Sequence, residues 1–147
     1  MKDCEALAEE LMGEMRALHR AKPQKHLNEA FSGEAFILDY LANTDGTAQP
    51  STIGGEMGVS SARVATALNS LEKKGLVRRH IDTNDRRRIL IELTEQGRAT
   101  ARHHHEAVRR VVSRMLDLLG EDDAREYIRI NKRLAQMLPA CEEMTEG

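Results

Sequence analysis

Three groups of side chains in this 147-residue chain have types and spacings that could do chemistry. The first is Asp85-Arg86-Arg87-Arg88. It lies within residues 60–92, which hold eight Lys/Arg against four acids, a local charge of +4 in a chain whose total is −2. Local charge, not the total, decides where a polyanion docks. A flat guanidinium suits the concentrated negative potential of a narrow minor groove. A carboxylate two residues before Arg87 can hold that guanidinium through a charge-assisted bond, or it can simply close a turn.

The second group is His103-His104-His105-Glu106. Imidazoles suit zinc or copper, but consecutive helical residues point about 100° apart, so three in a row cannot ligate one ion. His105-Glu106 opens an HExxH pattern that fails, because position 109 is Arg. No metal ligands are assigned. The third group is Cys4 and Cys141, too few for a disulfide framework, with no local basic shell to lower a thiol pKa. No nucleophile elbow, phosphate loop or complete metal site is present, so the expectation is a protein that is not an enzyme and needs no cofactor.

Charged residues make up 31% of the chain and aromatics 3%, with no Trp, which favours helices around a core of Leu, Ile, Val, Met and Ala. No run of about 18 apolar residues exists to span a membrane. Acids rather than an apolar stretch follow Met1, so no secretory signal is read and a cytoplasmic location is expected.

The elements that must position these groups follow from periodicity. Residues 4–20 read as an amphipathic helix with Leu7, Leu11, Met15 and Leu18 on one stripe, broken at Lys22-Pro23-Gln24-Lys25. Ser32 is placed as the N-cap of a helix that buries Ile37, Leu38 and Leu41, with Phe36 and Tyr40, and stops near Asn43-Thr44-Asp45-Gly46. A short helix starts at Pro50-Ser51, with Ser51 as cap and Ile53 and Met57 inward. Its Gly54-Gly55 pair suggests close packing against a neighbouring helix. Gly58-Val59-Ser60 is a turn and a cap. Residues 61–74 form a helix with Val64, Leu68 and Leu71 inward, ended by Gly75.

The period then changes to two. Val77–Ile81 and Arg87–Leu93 read as strands, with Ile89, Ile91 and Leu93 on one face and a basic-tipped turn between them. Thr94 caps a helix over 95–119 carrying Val108, Val112, Met115 and Leu119. Gly120 breaks it, and a last helix over 121–138 carries Ile130 and Leu134 before Pro139 and a frayed acidic tail. The fold class is mainly α with a small β-hairpin: a winged helix-turn-helix, residues 32–94 with its core at 51–94. It is flanked by an N-terminal dimerisation helix in 1–31 and C-terminal dimerisation helices in 95–147.

A short helix, a tight turn and a second helix with a small polar outer face are what a major groove about 12 Å wide accepts. The residues placed at double-stranded DNA are Ser51, Ser60, Ser61, Arg63, Thr66 and Ser70 on the helices and Arg86 and Arg87 on the hairpin, with Asp85 orienting the wing.

Asp85-x-Arg87, five residues, then Leu93-Thr94 resembles the wing signature of the MarR (multiple antibiotic resistance regulator) family. Gly58-Val59-Ser60, Leu71-Glu72-Lys73-Lys74-Gly75-Leu76-Val77 and Glu95-Gln96-Gly97 are similar to it too. The resemblance implies that Arg87 enters the minor groove, that Asp85 orients it, and that helix 61–74 reads the major groove. It also implies a homodimer with interleaved termini on a pseudo-palindromic site. The unpartnered stripes of the first and last helices point the same way. A two-fold dimer places two reading helices about 34–36 Å apart, one DNA turn.

The expected function is a dimeric sequence-specific repressor released by an unknown small-molecule effector. Glu34 and His104 are candidates for its cleft. The alternatives are a metal- or redox-responsive regulator using His103–His105 or Cys4/Cys141, or a winged-helix protein–protein module.

Overall fold

The computed structural model describes residues 3–138 of the chain. They fall into two compact units, one ending at Val108 and one beginning at Arg109. The elements are α1 (Cys4–Arg20), α2 (Lys22–Ala30), α3 (Gly33–Asn43), β1 (Thr47–Ala48), α4 (Pro50–Met57), α5 (Ser61–Lys73), β2 (Val77–Ile81), β3 (Ile89–Leu93), α6 (Glu95–Leu119) and α7 (Glu121–Met137).

In the first unit, helix periodicity and strand alternation converge on one core. Ile37, Leu38 and Leu41 of α3 and Ile53 of α4 meet Val64, Leu68 and Leu71 of α5. Leu76, Val77, Ile91, Leu93 and Ala101 close the cluster. The Val64–Leu68–Leu71 stripe is buried as its i, i+4, i+7 spacing requires. Full burial of each such side chain contributes roughly 2 kcal/mol. The sheet is antiparallel in the order β1-β3-β2, with Val77 opposite Leu93, Arg79 opposite Ile91 and Ile81 opposite Ile89.

One junction joins the end of the hairpin and the turn after α5 to α6. The Thr94 hydroxyl donates to the Gly75 carbonyl at 2.7 Å and accepts the Gly97 N–H at 3.0 Å. The Thr94 N–H donates to the Leu76 carbonyl at 3.1 Å. A Cβ on Gly97 would overlap that same Leu76 carbonyl oxygen. Thr94 and Gly97 are therefore steric and hydrogen-bonding necessities, which gives a physical reason for the Leu93-Thr94-Glu95-Gln96-Gly97 string.

Several expectations are corrected. The break after residue 20 is real, at Ala21, but Pro23 then sits in the first turn of α2, where its missing N–H costs nothing. Ser32 occupies the N-cap of α3 without capping it, its hydroxyl donating instead to the Glu29 carbonyl at 3.3 Å. Gln49 is the N-cap of α4, with Pro50 in its first turn, so Ser51 lies inside the helix rather than capping it. Ile89 shares a face with Ile91 and Leu93 but is half exposed, because the hairpin leaves the core before reaching it. The two-residue β1, paired with β3 through Thr47–Glu92 and Ala48–Ile91, has no counterpart in the sequence reading.

The second unit holds the later part of α6 and all of α7. Glu121, Asp122 and Asp123 fill the first turn of α7, where the helix dipole favours acids. Ala124 is buried, while Tyr127, Ile128, Ile130, Leu134 and Met137 are exposed. Pro139, the acidic tail and Cys141 lie outside the described residues.

Candidate nucleic-acid interface

The turn between α4 and α5 sets the geometry of α5. Gly58 takes the left-handed conformation at φ +64° that only glycine adopts freely. The N–H groups of Gly58 and Val59 donate to the carbonyls of Gly55 and Gly54, each at 3.3 Å. A Cβ on Gly54 would stand 3.2 Å from Val64 Cγ2, so this glycine lets α4 close on α5, whereas Gly55 faces open space. The expected close packing thus explains one glycine of the pair.

Ser60 caps α5, its hydroxyl accepting the Arg63 N–H at 3.3 Å. Beyond it the helix exposes Ser61, Ala62, Arg63, Ala65, Thr66 and Asn69, a low surface broken by one long cation. The Thr66 hydroxyl donates to the Ala62 carbonyl at 3.0 Å, leaving its oxygen able to accept. Ser51 is exposed on α4. Ser70 is half buried beside the Glu34 carboxylate, whose pKa it helps to lower.

The wing tip is built by two aspartates. Asp82 Oδ1 accepts the Asn84 N–H at 2.9 Å, and Asp85 Oδ1 accepts the Arg87 N–H at 3.0 Å. Backbone bonds from Asp82 to Arg88 and from Arg88 to Asp85, both 3.0 Å, close the hairpin end. The side-chain partner of Asp85 is the Arg88 guanidinium, 3.5 Å away. Asp85 therefore orients Arg88 and the turn, and holds Arg87 by its backbone rather than by its guanidinium.

Ion pairing sorts the basic residues. Arg78 pairs with Glu92 at 3.0 Å, Arg79 with Glu72 at 3.6 Å, Lys74 with Glu34 at 2.6 Å and Arg88 with Asp85. The Lys74 bond, helped by Ser70, holds the Glu34 carboxyl below the usual carboxylate range. The Arg78 bond does the same for Glu92. Among the described residues, Arg63 and Lys73 on α5 and Arg86 and Arg87 on the wing have no acidic partner. Lys73 belongs to the basic segment counted in the sequence but was not assigned to DNA there.

Glu34 lines a cavity of about 780 Å³ with Phe31, Phe36, Met57, Arg63 and Thr66, against α5. His104 is not part of that cavity. It is half buried on α6, and its Nε2 has no hydrogen-bond partner among the described residues. The structure does not bring His104 into the cavity that Glu34 lines, and Lys74 bonds the Glu34 carboxylate from α5.

Asn69, Glu72 and Arg79 were also missed by the sequence reading. The available signal was strand alternation, which puts Arg79 on the same face of β2 as buried Val77, although Arg79 itself is exposed.

A helix, a glycine turn, a small-faced second helix and a basic hairpin define the class, a winged helix-turn-helix. A family model described as winged helix DNA-binding domain matches residues 34–112. The chain is 31% identical to the HTH-type transcriptional regulator YwhA of Bacillus subtilis (strain 168), over 82% of this chain and 84% of that one. It is similar in structure to AbsC, a MarR family transcriptional regulator from Streptomyces coelicolor. The TM-score is 0.66 and the identity 28%, over 95% of this chain and 97% of that one. It is also similar to NadR in complex with 4-hydroxyphenylacetate, at TM-score 0.63 and 25% identity over 92% and 94%.

The chain belongs to the MarR family of winged helix DNA-binding transcriptional regulators. It is a regulator and not an enzyme, as its residues and the resemblance suggested. No helix among the described residues is long and apolar enough to cross a membrane.

Proposed function

We propose that the protein is a homodimeric repressor that reads a pseudo-palindromic operator in the cytoplasm and is released from it by a small-molecule effector. In this reading α5 enters the major groove, with Ser61, Arg63 and Thr66 nearest the bases and Ser51, Ser60 and Ser70 at its margins. The wing tip, residues 82–88, reaches the minor groove through Arg86 and Arg87. The observation that carries it is the distribution of cations without an acidic partner among the described residues, two on α5 and two at the wing tip, while the other Lys/Arg of residues 60–92 (Lys74, Arg78, Arg79 and Arg88) are ion-paired. Phosphate and minor-groove contacts need such free cations.

The dimer is supported by apolar stripes that each unit leaves uncovered: Leu7, Leu11, Met15 and Leu18 on α1, and Ile130, Leu134 and Met137 on α7. Residues 1–31 and 95–147 are assigned to dimerisation on that ground. Release by an effector is supported by the cavity beside Arg63, which is within the size of small-molecule sites. That NadR is seen with 4-hydroxyphenylacetate agrees with it. Selection of bound duplexes from a random pool, followed by a gel shift with Arg87→Ala, tests the reading. Enrichment of an inverted repeat that the variant binds at least tenfold more weakly is expected. A shift insensitive to Arg87→Ala would favour a protein–protein module instead.

A further inference from the structure

One side chain ties the wing to the reading helix. Arg79 lies two residues beyond buried Val77 on β2, and its partner in register is the fully buried Ile91. The Arg79 guanidinium, though 38% exposed, meets two partners on α5, one hydrogen-bond acceptor and one ion-pair carboxylate. Asn69 Oδ1 accepts from Arg79 Nη2 at 2.6 Å, and Glu72 Oε2 stands 3.6 Å from Arg79 Nε. Asn69 and Glu72 are three residues apart, so they are neighbours on the helix surface. Toward the tip the paired Ile81 and Ile89 are exposed, so the outer hairpin gains little hold from the core.

We propose that Arg79 is a positioning residue for DNA recognition. It fixes the angle between α5 and the hairpin so that both meet the duplex together, and it does not itself bind phosphate. This rests on the DNA reading proposed above.

The argument from chemistry is that a planar fork with donors on different nitrogens can hold two acceptors at once, which a lysine ammonium on a flexible stem does poorly. An unbraced wing must be ordered when the complex forms, and that cost appears as lost affinity. With Glu72 beside it, Arg79 also brings little net charge to the face. The bond to Asn69 has a second consequence: it occupies the amide oxygen and leaves the NH2 group of Asn69 as the donor available to other acceptors.

The test uses the full chain with Arg79→Lys and Arg79→Met, measuring amide exchange of residues 82–90 without DNA and the salt dependence of operator binding. Both variants are expected to exchange faster in the wing and to bind about five- to tenfold more weakly with an unchanged salt slope. Lysine, although it keeps the charge, is not expected to restore affinity. Glu72→Gln removes a negative charge near the DNA yet is expected to give no tighter binding. Wild-type affinity and wing exchange in Arg79→Lys overturn the proposal, and this variant decides if Arg79→Met fails to fold. A slope shallower by about 2 in Arg79→Met, with unchanged exchange, overturns it in favour of a direct phosphate contact. If the wild type binds no duplex at all, the DNA reading falls and the proposal with it. Normal wild-type binding with slow wing exchange in both variants overturns the brace alone.

Discussion

The Asp85 carboxylate accepts the backbone N–H of Arg87 at 3.0 Å while pairing with the side chain of Arg88 at 3.5 Å, so the Arg87 guanidinium stands outside that pair. Asp85 thus shapes the tip from which Arg87 projects. Asp85→Ala deletes a negative charge from the wing tip proposed to face DNA, which by charge alone should tighten binding. The opposite is expected, a loss of about 1 kcal/mol of operator affinity, because the turn loses its closing acceptor. Global stability should change by less than about 0.5 kcal/mol at this exposed site. Fluorescence anisotropy with the selected duplex, alongside urea unfolding, separates the two. Tighter binding by the variant would contradict this role.

Glycine positions give sharp stability tests. Gly97→Ala drives a methyl into the Leu76 carbonyl, a backbone atom that cannot step aside, and is expected to cost about 3 kcal/mol. Gly55→Ala places its methyl in open space on a helix and is expected to stabilise by about 0.5–1 kcal/mol. Denaturant midpoints of the two variants should therefore move in opposite directions.

The Lys74–Glu34 bond joins α3 to the end of α5 and should show in acid. The Glu34 carboxyl is held below its ordinary value of 4.5, chiefly by Lys74 and next by Ser70. A carboxyl lowered by folding stabilises fully above its unfolded pKa and loses that contribution as pH falls through the lowered folded value. Glu34→Gln should then be less stable than wild type at pH 7. The pair is partly exposed, so the difference should be no more than about 1 kcal/mol. The gap should close below pH 4.5. A gap independent of pH would assign the effect to packing.

The exposed α1 stripe carries the dimer prediction. Leu11 is 60% exposed, in line with Leu7, Met15 and Leu18. Leu11→Lys is expected to leave the winged helix folded, because the residue touches no part of its core, while weakening association at least tenfold in sedimentation velocity. An unchanged sedimentation coefficient would place the interface elsewhere.

The parts legible in sequence were those written in local spacing. The Val64–Leu68–Leu71 stripe, the Gly75 stop, the Ser60 and Thr94 caps and the hairpin each need only a few neighbouring residues. What escaped was non-local or ambiguous. A proline reads equally as a breaker or as the first turn of a helix, so α2 appeared only as an interruption. Strand β1 is too short to alternate and exists because β3 offers an edge. The basic cluster could be counted, but its partners could not be assigned. Glu34 lies 40 residues from Lys74 and Glu92 14 from Arg78, so only the fold reveals which cations are neutralised. The Asp85 carboxylate was likewise visible as a polar turn residue, while its choice of Arg88 over Arg87 depends on how the tip closes.

The most direct test of the interface is a salt titration of operator binding by the wild type and by Arg87→Ala. In the proposed dimer, Arg63, Lys73, Arg86 and Arg87, which have no acidic partner among the described residues, give a slope of log affinity against log salt of about −7, and removing Arg87 from both protomers should make it shallower by about 2. Binding that ignores salt, or an Arg87→Ala variant with the affinity and slope of the wild type, would contradict DNA recognition through α5 and the wing tip.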